Sequence, residues 1–408
     1  MSTITNITNH LSVFSNTENF ITSKYYKTTK YIQENEVLNR GLLDMSSGFL
    51  PVALIELIGR NWQSAAETAF GNGLRLITNF LSPLALVPIW NKFAASKHGL
   101  PQELKGLFSI QFEDLTPDVI PEKLKEQLLE IKENTNVINA MTLSDITDLK
   151  KKLIDAKCLA RKLDLMSVGF LTYLSPWIRN WFTKKVLGVV GFTGELNILS
   201  DSEREQGASF YERFKYLLFG GGLIPLFLGS AWDANKLKQA LTAQQQDTGQ
   251  DKFINHIKEN LKNFSGSITS KGNLFRHNLY GGVVSRIISS RSINEVIERT
   301  IRMGISLAGN FWGDVIAHKA LAKRYDKKFD TEIIDPNKKE VKSLNKLEKE
   351  IKDAINDKDK SLISKLNKSI TGQIKTYYQS MSTTAIATGL VTVFSIWNTK
   401  RRVDSGKH

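Results

Sequence analysis

The chain has 408 residues, 41% of them apolar and 24% charged, which is enough to bury a large core and excludes a collagen-like, wholly disordered or disulfide-built protein. Its single cysteine, Cys158, closes no intrachain disulfide and leaves too few thiols for a zinc ribbon, an iron–sulfur cluster or a Cys-x-x-Cys redox pair. The 55 Lys plus Arg against 41 Asp plus Glu give a net charge of +14, a surplus that favours an anionic partner, either nucleic acid or an anionic membrane leaflet.

Residues 1–40 read as a polar tail. Ser, Thr and Asn are frequent and no apolar run reaches signal-peptide length, although the same composition also suits an unprocessed export signal. A first apolar module follows over 41–92, with an interrupted apolar stretch from Leu42 to Gly59 and an uncharged one from Leu76 to Asn91. Within it Glu56, Arg60, Gln63 and Glu67 fall within about 60° of one another on a helical wheel, so a continuous helix presents them as one polar stripe. Ionisable groups inside a membrane are expensive and face a bundle interior or aqueous cavity, which makes this stripe the best candidate for a solute path. The plainer reading is a connecting loop in which Glu56 and Arg60 form an ordinary i,i+4 pair. Gly71-Asn72-Gly73 lacks the strand before it and the Lys-Ser/Thr after it that a phosphate loop needs, so close helix packing is expected there.

Residues 93–162 are polar, with Leu124, Leu128, Leu129 and Ile131 at helical spacing, and read as a solvated amphipathic helical insert. Cys158 lies in its lysine-rich end, where neighbouring lysines would lower a thiol pKa, but a lone cysteine is more often a small apolar residue. The second apolar module, 163–236, contains the uncharged run from Tyr216 to Trp232 and weaker stretches at Leu165–Trp181 and Val186–Leu199. Gly220-Gly221-Gly222 inside it reads as helix packing or a kink, for the same reasons as the earlier glycines. A second polar insert covers 237–276. The third apolar module begins at 277–320, where Asp314 and His318 stand i,i+4 and form a weak candidate for a proton relay or half a metal site. A charged insert over 321–375 carries the stripe Leu344, Leu347, Ile351 and Ile355. The C-terminal segment, 376–408, has no charge between Lys375 and Lys400 and is predicted to be one continuous transmembrane helix over 376–399, followed by a basic tail.

All seven tryptophans, Trp62, Trp90, Trp177, Trp181, Trp232, Trp312 and Trp397, lie in or at the end of an apolar cluster, as expected of membrane-interface anchors. Trp90, Trp232 and Trp397 each precede an Asn or Asp and then a lysine, which predicts three helix exits on the same side, with the polar inserts sharing that face. The sequence also repeats. Met45-Ser46-Ser47-Gly48-Phe49-Leu50, ending in Arg60-Asn61-Trp62, matches Met166-Ser167-Val168-Gly169-Phe170-Leu171, ending in Arg179-Asn180-Trp181. Glu67, Gly73, Leu76, Asn79 and Phe80 recur at constant offset as Glu298, Gly304, Leu307, Asn310 and Phe311. The two Arg-Asn-Trp blocks are expected to occupy equivalent places.

The expected architecture is an all-α, polytopic helical membrane bundle built from two or three hairpin-like repeats, with polar amphipathic helical inserts. No module carries the Pro-x-Asp/Glu-x-x-Lys/Arg signature of mitochondrial carriers, so membership of that family does not follow. The function expected is that of a multi-pass membrane protein of transporter or carrier type, moving or binding a small solute or lipid. The alternative is a non-catalytic membrane-embedded structural or interaction protein, whose basic inserts contact anionic lipid or a protein partner, including a second copy of the chain. Nucleic acid is the less favoured partner because no recognition motif accompanies the charge. No catalytic signature, metal spacing or cofactor motif is read in the sequence.

Overall fold

The computed structural model describes residues 23–34, 36–104, 106–110, 112–116, 119–131, 134–242, 277–309, 313–337, 339–357 and 359–406. It is all-α. Among the described residues the one β feature is an isolated antiparallel bridge between Ile334 and Val341. The chain divides into two compact units, Met1–Gly59 with Ile301–Ser395, and Arg60–Thr300 with Ile396–His408. Trp312, most of the 237–276 insert and the start of the N-terminal tail lie outside the described residues.

In the first unit, α1 (Lys24–Glu34) and α2 (Glu36–Asp44) lead through a π-helical turn, Met45–Phe49, into α3 (Leu50–Gly59). The unit also holds the end of α10 (Ile293–Ala308), α11 (Asp314–Phe329), α12 (Leu344–Asn356) and most of α13 (Lys360–Asp404). The stripe on α12 is a core and not a solvated face: Leu344, Leu347 and Ile351 are buried against Tyr26, Ile363, Leu366, Ile370 and Ile374, and Ile355 packs at the margin. Each such aliphatic side chain contributes roughly 1.5–3 kcal/mol by leaving water. Tyr26 places part of the expected polar tail in that core, and its hydroxyl donates to Glu348 Oε2 at 3.2 Å. The loop between α11 and α12 is closed by Asp326, whose carboxylate accepts from the backbone N–H groups of Ile333 and Ile334 at 2.9 Å.

In the second unit, α4 (Trp62–Leu76), a π-helical turn over Ile77–Leu81 and α5 (Ser82–Lys97) form one continuous helical run. Two short helices, α6 (Pro121–Glu130) and α7 (Thr135–Ala140), precede α8 (Leu143–Lys185). A capping box starts α8: the Thr142 hydroxyl accepts from Asp145 N at 3.2 Å, and Asp145 accepts from Thr142 N at 2.8 Å. Lys184 and Lys185 complement its C-terminal dipole. The helix runs straight through the 162/163 boundary between expected insert and module. After it, Val186 to Leu199 is a loop with one short 3-10 turn at Thr193–Glu195, not an apolar helix. The chain returns in α9 (Asp201–Thr242) and, after the undescribed stretch, through a π-helical turn at Asn278–Val283 and a short helix to Ile288.

At one end of this unit the 93–162 insert is folded, not solvated. Leu107, Phe112, Leu115, Leu124, Leu128, Ile138, Ile146, Leu149 and Leu153 are buried together, and Leu237 and Leu241 join them from the end of α9. Cys158 belongs to this core. Burial pushes its thiol up to about 12, so it is the small apolar residue of the plainer reading. Lys157 is buried beside it, donating to the carbonyl oxygens of Phe108 (2.9 Å) and Ile110, with its ammonium 4.7 Å from the Phe112 ring centroid.

Three helical stretches are long and apolar enough to cross a membrane: Trp62–Lys97, Asp201–Gln239 and Lys360–Asp404. They contain the three uncharged runs read from the sequence, because span length and absence of charge are local properties. Only 28%, 17% and 28% of their most apolar stretches are buried. What they bury is mixed: Val87 and Leu226 are buried as well as Thr78, Asn79 and Ser230, and the polar share is largest on the apolar run of α13. On α13, Thr376, Ser380, Thr384, Thr392, Ser395 and Thr399 face inward while Ile386, Leu390, Val393, Phe394 and Trp397 face out. Apart from Thr399, the inward hydroxyls are satisfied by their own helix, as Thr384 and Thr392 donate to carbonyls one turn back at 3.0 and 2.9 Å. On α9, Leu217 and Leu228 are 72% and 65% exposed, whereas Ser230 and Asp233 are buried.

Candidate functional site

The expected polar stripe does not form on one helix. Asn61 has extended backbone and caps α4, its side chain accepting from Ser64 N at 2.7 Å, so the helix breaks between Gly59 and Trp62. Glu56 remains on α3 in the first unit, where it pairs with Arg302, whose Nε donates to Ser395 Oγ at 2.8 Å. Arg60, Gln63 and Glu67 belong to the second unit. Gln63 is half-buried at the start of α4, and Arg60 and Glu67 turn into a buried network at the end of the unit remote from the 93–162 core.

The centre of that network is Glu295 on α10, fully buried. Its Oε1 receives Arg299 Nη2 at 2.5 Å, Arg291 Nη2 at 2.8 Å and Arg179 Nη2 at 3.1 Å, and its Oε2 receives the Arg291 backbone N–H at 2.6 Å. Arg291 also donates to Glu67 Oε1 at 2.6 Å, and Arg179 Nε stands 3.2 Å from the same oxygen. The other Glu67 oxygen accepts from Thr193 Oγ1 at 2.6 Å. Arg60 grips Glu298 with both ends of its guanidinium, at 2.9 Å through Nη1, and Thr399 Oγ1 donates to Glu298 Oε2 at 2.8 Å. Arg299 further binds Ser289 Oγ and Asn180 Oδ1, at 2.8 and 3.2 Å. Arg402 reaches Asn294 Oδ1 at 3.0 Å, and Asn294 in turn donates to Glu195 at 2.9 Å.

Four carboxylates are thus interlocked with five arginines drawn from α4, α8, α10, α13 and the loops beside them. Burial alone would lower the pKa of Arg291, but Glu295 and Glu67 outweigh it and hold the guanidinium above its ordinary value. Glu195 goes the other way: burial pushes its carboxyl up, against hydrogen bonds from Asn294 and Ser292 that pull it down. Small residues make room for the arginines. A Cβ on Gly71 would lie 2.6 Å from Arg179 Cδ, and one on Gly194 would lie 2.9 Å from Arg60 Cζ. Gly71 therefore serves packing.

Two Arg-Asn pairs flagged by their repetition both enter this network, but with different backbones: Arg60-Asn61 straddles a helix break, while Arg179-Asn180 lies inside α8. The main omission of the sequence reading is α10. Its charges at 295, 298, 299 and 302 follow i, i+3, i+4, i+7 spacing opposite Ile293 and Ile297, a charged stripe on an otherwise apolar helix.

A second, smaller set of buried charges lies on α8 nearer the 93–162 core. Arg161 Nε is 3.3 Å from Asp233 Oδ2, and Asp164 Oδ2 is 3.2 Å from His277 Nε2, with all four side chains buried. From Arg161 to Arg179 a helix rises about 27 Å. Between Asp164 and Arg179 the one titratable side chain on α8 is Tyr173, whose hydroxyl donates to Phe219 O at 2.6 Å.

The remaining candidates separate in the same way. Trp62, Trp181, Trp232 and Trp397 are exposed, as interface anchors would be. Trp90 and Trp177 are packed, Trp90 donating to Ser167 Oγ at 3.0 Å and Trp177 stacking on Tyr211 at 5.9 Å. The three Trp-to-Lys exits do not share a side: Trp90 and Trp232 lie toward the 93–162 core, Trp397 beside Thr399 and the Glu298 end. His318 is half-buried on α11, its ring 5.9 Å from that of Tyr377, and burial lowers its pKa. No group of three or more His, Cys, Asp and Glu side chains among the described residues could hold a metal, so Asp314 and His318 gain no further ligands. No family model, no curated protein and no solved structure matches the chain.

Proposed function

We propose that this chain is a multi-pass helical membrane protein of carrier type, which binds or moves a small solute or a lipid through the interior of its second unit. One observation carries the reading. Along α8, two layers of buried charge are separated by about 27 Å of helix, which carries no charge between Asp164 and Arg179 and buries Thr172, Tyr173 and Ser175 beside Leu165 and Val168. That spacing is close to the roughly 30 Å hydrocarbon thickness of a bilayer. In water such a pattern is upside down; in lipid it places ionisable groups at the two boundaries, and serines, threonines and a tyrosine between them. The arginine–glutamate network then closes one end of the polar interior, with Glu67, Glu295 and Glu298 as the groups whose partners must change if that end opens.

A second reading has its own support. Glu295, Glu298 and Glu67 are each already met by arginines, as a permanent clamp in a structural membrane protein would be. The deciding experiment uses the full chain in proteoliposomes, following NBD-labelled phosphatidylcholine across the bilayer and radiolabelled phosphate into the lumen. Movement above protein-free vesicles that falls in Arg179→Gln and Glu298→Gln supports the carrier reading. No movement of either probe, with the same variants only lowering thermal stability, favours the clamp. Release of the chain by carbonate washing, without detergent, overturns both.

A further inference from the structure

Helix α11 has two faces of different character. Its inner face packs on α13, with Ala322 fully buried and the Tyr325 ring seated over Gly372, where a Cβ would overlap it. Its outer face starts with exposed Val315 and Ile316 and continues with Lys319, Lys323 and Lys327. At 100° per residue Ile316 and the three lysines fall within about 80° of one another, so they form one stripe along the helix. The lysines form no ion pair with any described residue, and every residue exposed on α11 beside them is neutral or basic. Two of the three lysines of α12 behave differently: Lys346 pairs with Asp335 and Lys352 with Glu348.

The change from apolar to basic along α11 is matched on its neighbour. The two helices run antiparallel, since Gly309 lies near Thr384, His318 meets Tyr377, Tyr325 covers Gly372, and Glu332 N reaches Ser369 Oγ. The uncharged run of α13 begins at Thr376, just after Lys375, at the height of His318. Ile316 and Lys319 flank that height on α11. Two packed helices therefore pass from apolar to basic at one level. At the same level, on the far side of α13, Tyr25, Tyr378 and Lys375 line a groove of about 460 Å³. Tyrosine and lysine together are the residues of a membrane–water boundary.

We infer that the Lys319–Lys323–Lys327 stripe of α11 is a binding surface for the phosphates of anionic phospholipids. The inference rests on the membrane reading of the chain and assigns the headgroup level within the first unit. Val315 and Ile316 meet acyl chains, and the lysines extend along the headgroups with stems packed on the helix and ammonium groups on phosphate. A neutral lipid offers the same apolar contact without the charge, so the surface selects between lipids and not merely for a bilayer.

The test reconstitutes the full chain in phosphatidylcholine vesicles containing trace spin-labelled phosphatidylglycerol or spin-labelled phosphatidylcholine, and measures the motionally restricted fraction of each by electron paramagnetic resonance. The native chain should restrict the anionic probe in preference, less so at high salt. A triple substitution, Lys319→Gln, Lys323→Gln and Lys327→Gln, should reduce that preference by at least about five-fold, the value of one surface cation near an anionic leaflet. The double substitution Lys346→Gln and Lys352→Gln should leave it unchanged. An unaltered preference in the triple variant, with lipid still restricted and melting unchanged, overturns the inference and leaves the membrane reading standing. No restricted lipid with either probe, together with release in carbonate, overturns the membrane reading itself and this surface with it. Loss of nucleic-acid retention in the triple variant, without a lipid preference in the native chain, also overturns it.

Discussion

The second unit contains two ways of building an interior, and α8 passes through both. Its first half buries Ile146, Leu149, Leu153 and Ile154 and exposes Lys151 and Lys152. Its second half buries Asp164, Thr172, Ser175 and Asn180 beside Leu165 and Val168, and exposes Ile178 and Trp181. The first half is stabilised by removing hydrocarbon from water. The second half gains nothing that way if its surroundings are hydrocarbon; packing, hydrogen bonds and ion pairs must hold it instead. On the membrane reading proposed above, one helix has to satisfy two solvents, with the changeover at Arg161 and Asp164.

The largest expected effect tests the charged interior. Glu295→Ala leaves Arg179, Arg291 and Arg299 without their shared carboxylate and should cost about 3–5 kcal/mol, read as a lowered melting temperature in detergent or as loss of folded protein. A matched pair then tests the contrast directly. Leu153→Ala, in the 93–162 core, should cost about 2–5 kcal/mol, whereas Leu228→Ala on the exposed face of α9 should stay within about 0.5 kcal/mol in the same detergent melt. Equal costs would mean that the two regions do not differ in solvent.

Lys157 sharpens the comparison on the side of the 93–162 core. Burial lowers its pKa to about 8 in the folded chain, against the ordinary 10.5 when unfolded. Between those values the unfolded chain binds the proton more tightly, so this group's contribution to stability increases as pH rises from about 8 to 10.5. The change is about 3 kcal/mol across the window, at roughly 1.4 kcal/mol per unit. Below pH 8 both states are protonated and the contribution is flat. Denaturant melts of the native chain and Lys157→Met across this range should diverge by that amount, the native chain gaining. The smallest effect is at Cys158. A thiol buried in a core and pushed up to about 12 should resist maleimide at neutral pH until denaturant opens the 93–162 core, which a mass measurement of the labelled chain detects.

Some of this organisation was legible in the sequence and some was not, for identifiable reasons. The uncharged runs at 76–91, 216–232 and 376–399 lie on the three long apolar helices because nothing beyond local composition is needed to find them. The break at Asn61 carried a readable signal, an N-cap residue before a helix, but the wheel placing Glu56, Arg60, Gln63 and Glu67 together assumed a continuous helix. Leu124 and Leu128 showed helical spacing, yet spacing alone cannot tell a solvated stripe from a core, and Leu237 and Leu241 reach that core from a distant helix. The charged network was half seen. Arg60, Glu67 and the two Arg-Asn pairs stood out, while Arg291, Glu295 and Arg299 did not, because ordinary charges on a short helix acquire meaning only from what they face.

The arrival of Leu237 and Leu241 in the 93–162 core also sets an order of events during synthesis. Ala160 leaves the ribosome roughly eighty residues before Leu241, and at about 5–20 residues per second the interval is on the order of 4–16 s. For that time Leu124, Leu128 and Leu153 lack their final cover. Closure then depends on α9 having returned to the side from which α8 departed. A chain whose α9 is threaded the wrong way would leave that core without Leu237 and Leu241, an unfinished apolar surface whose exposure does not depend on the buried charges at all.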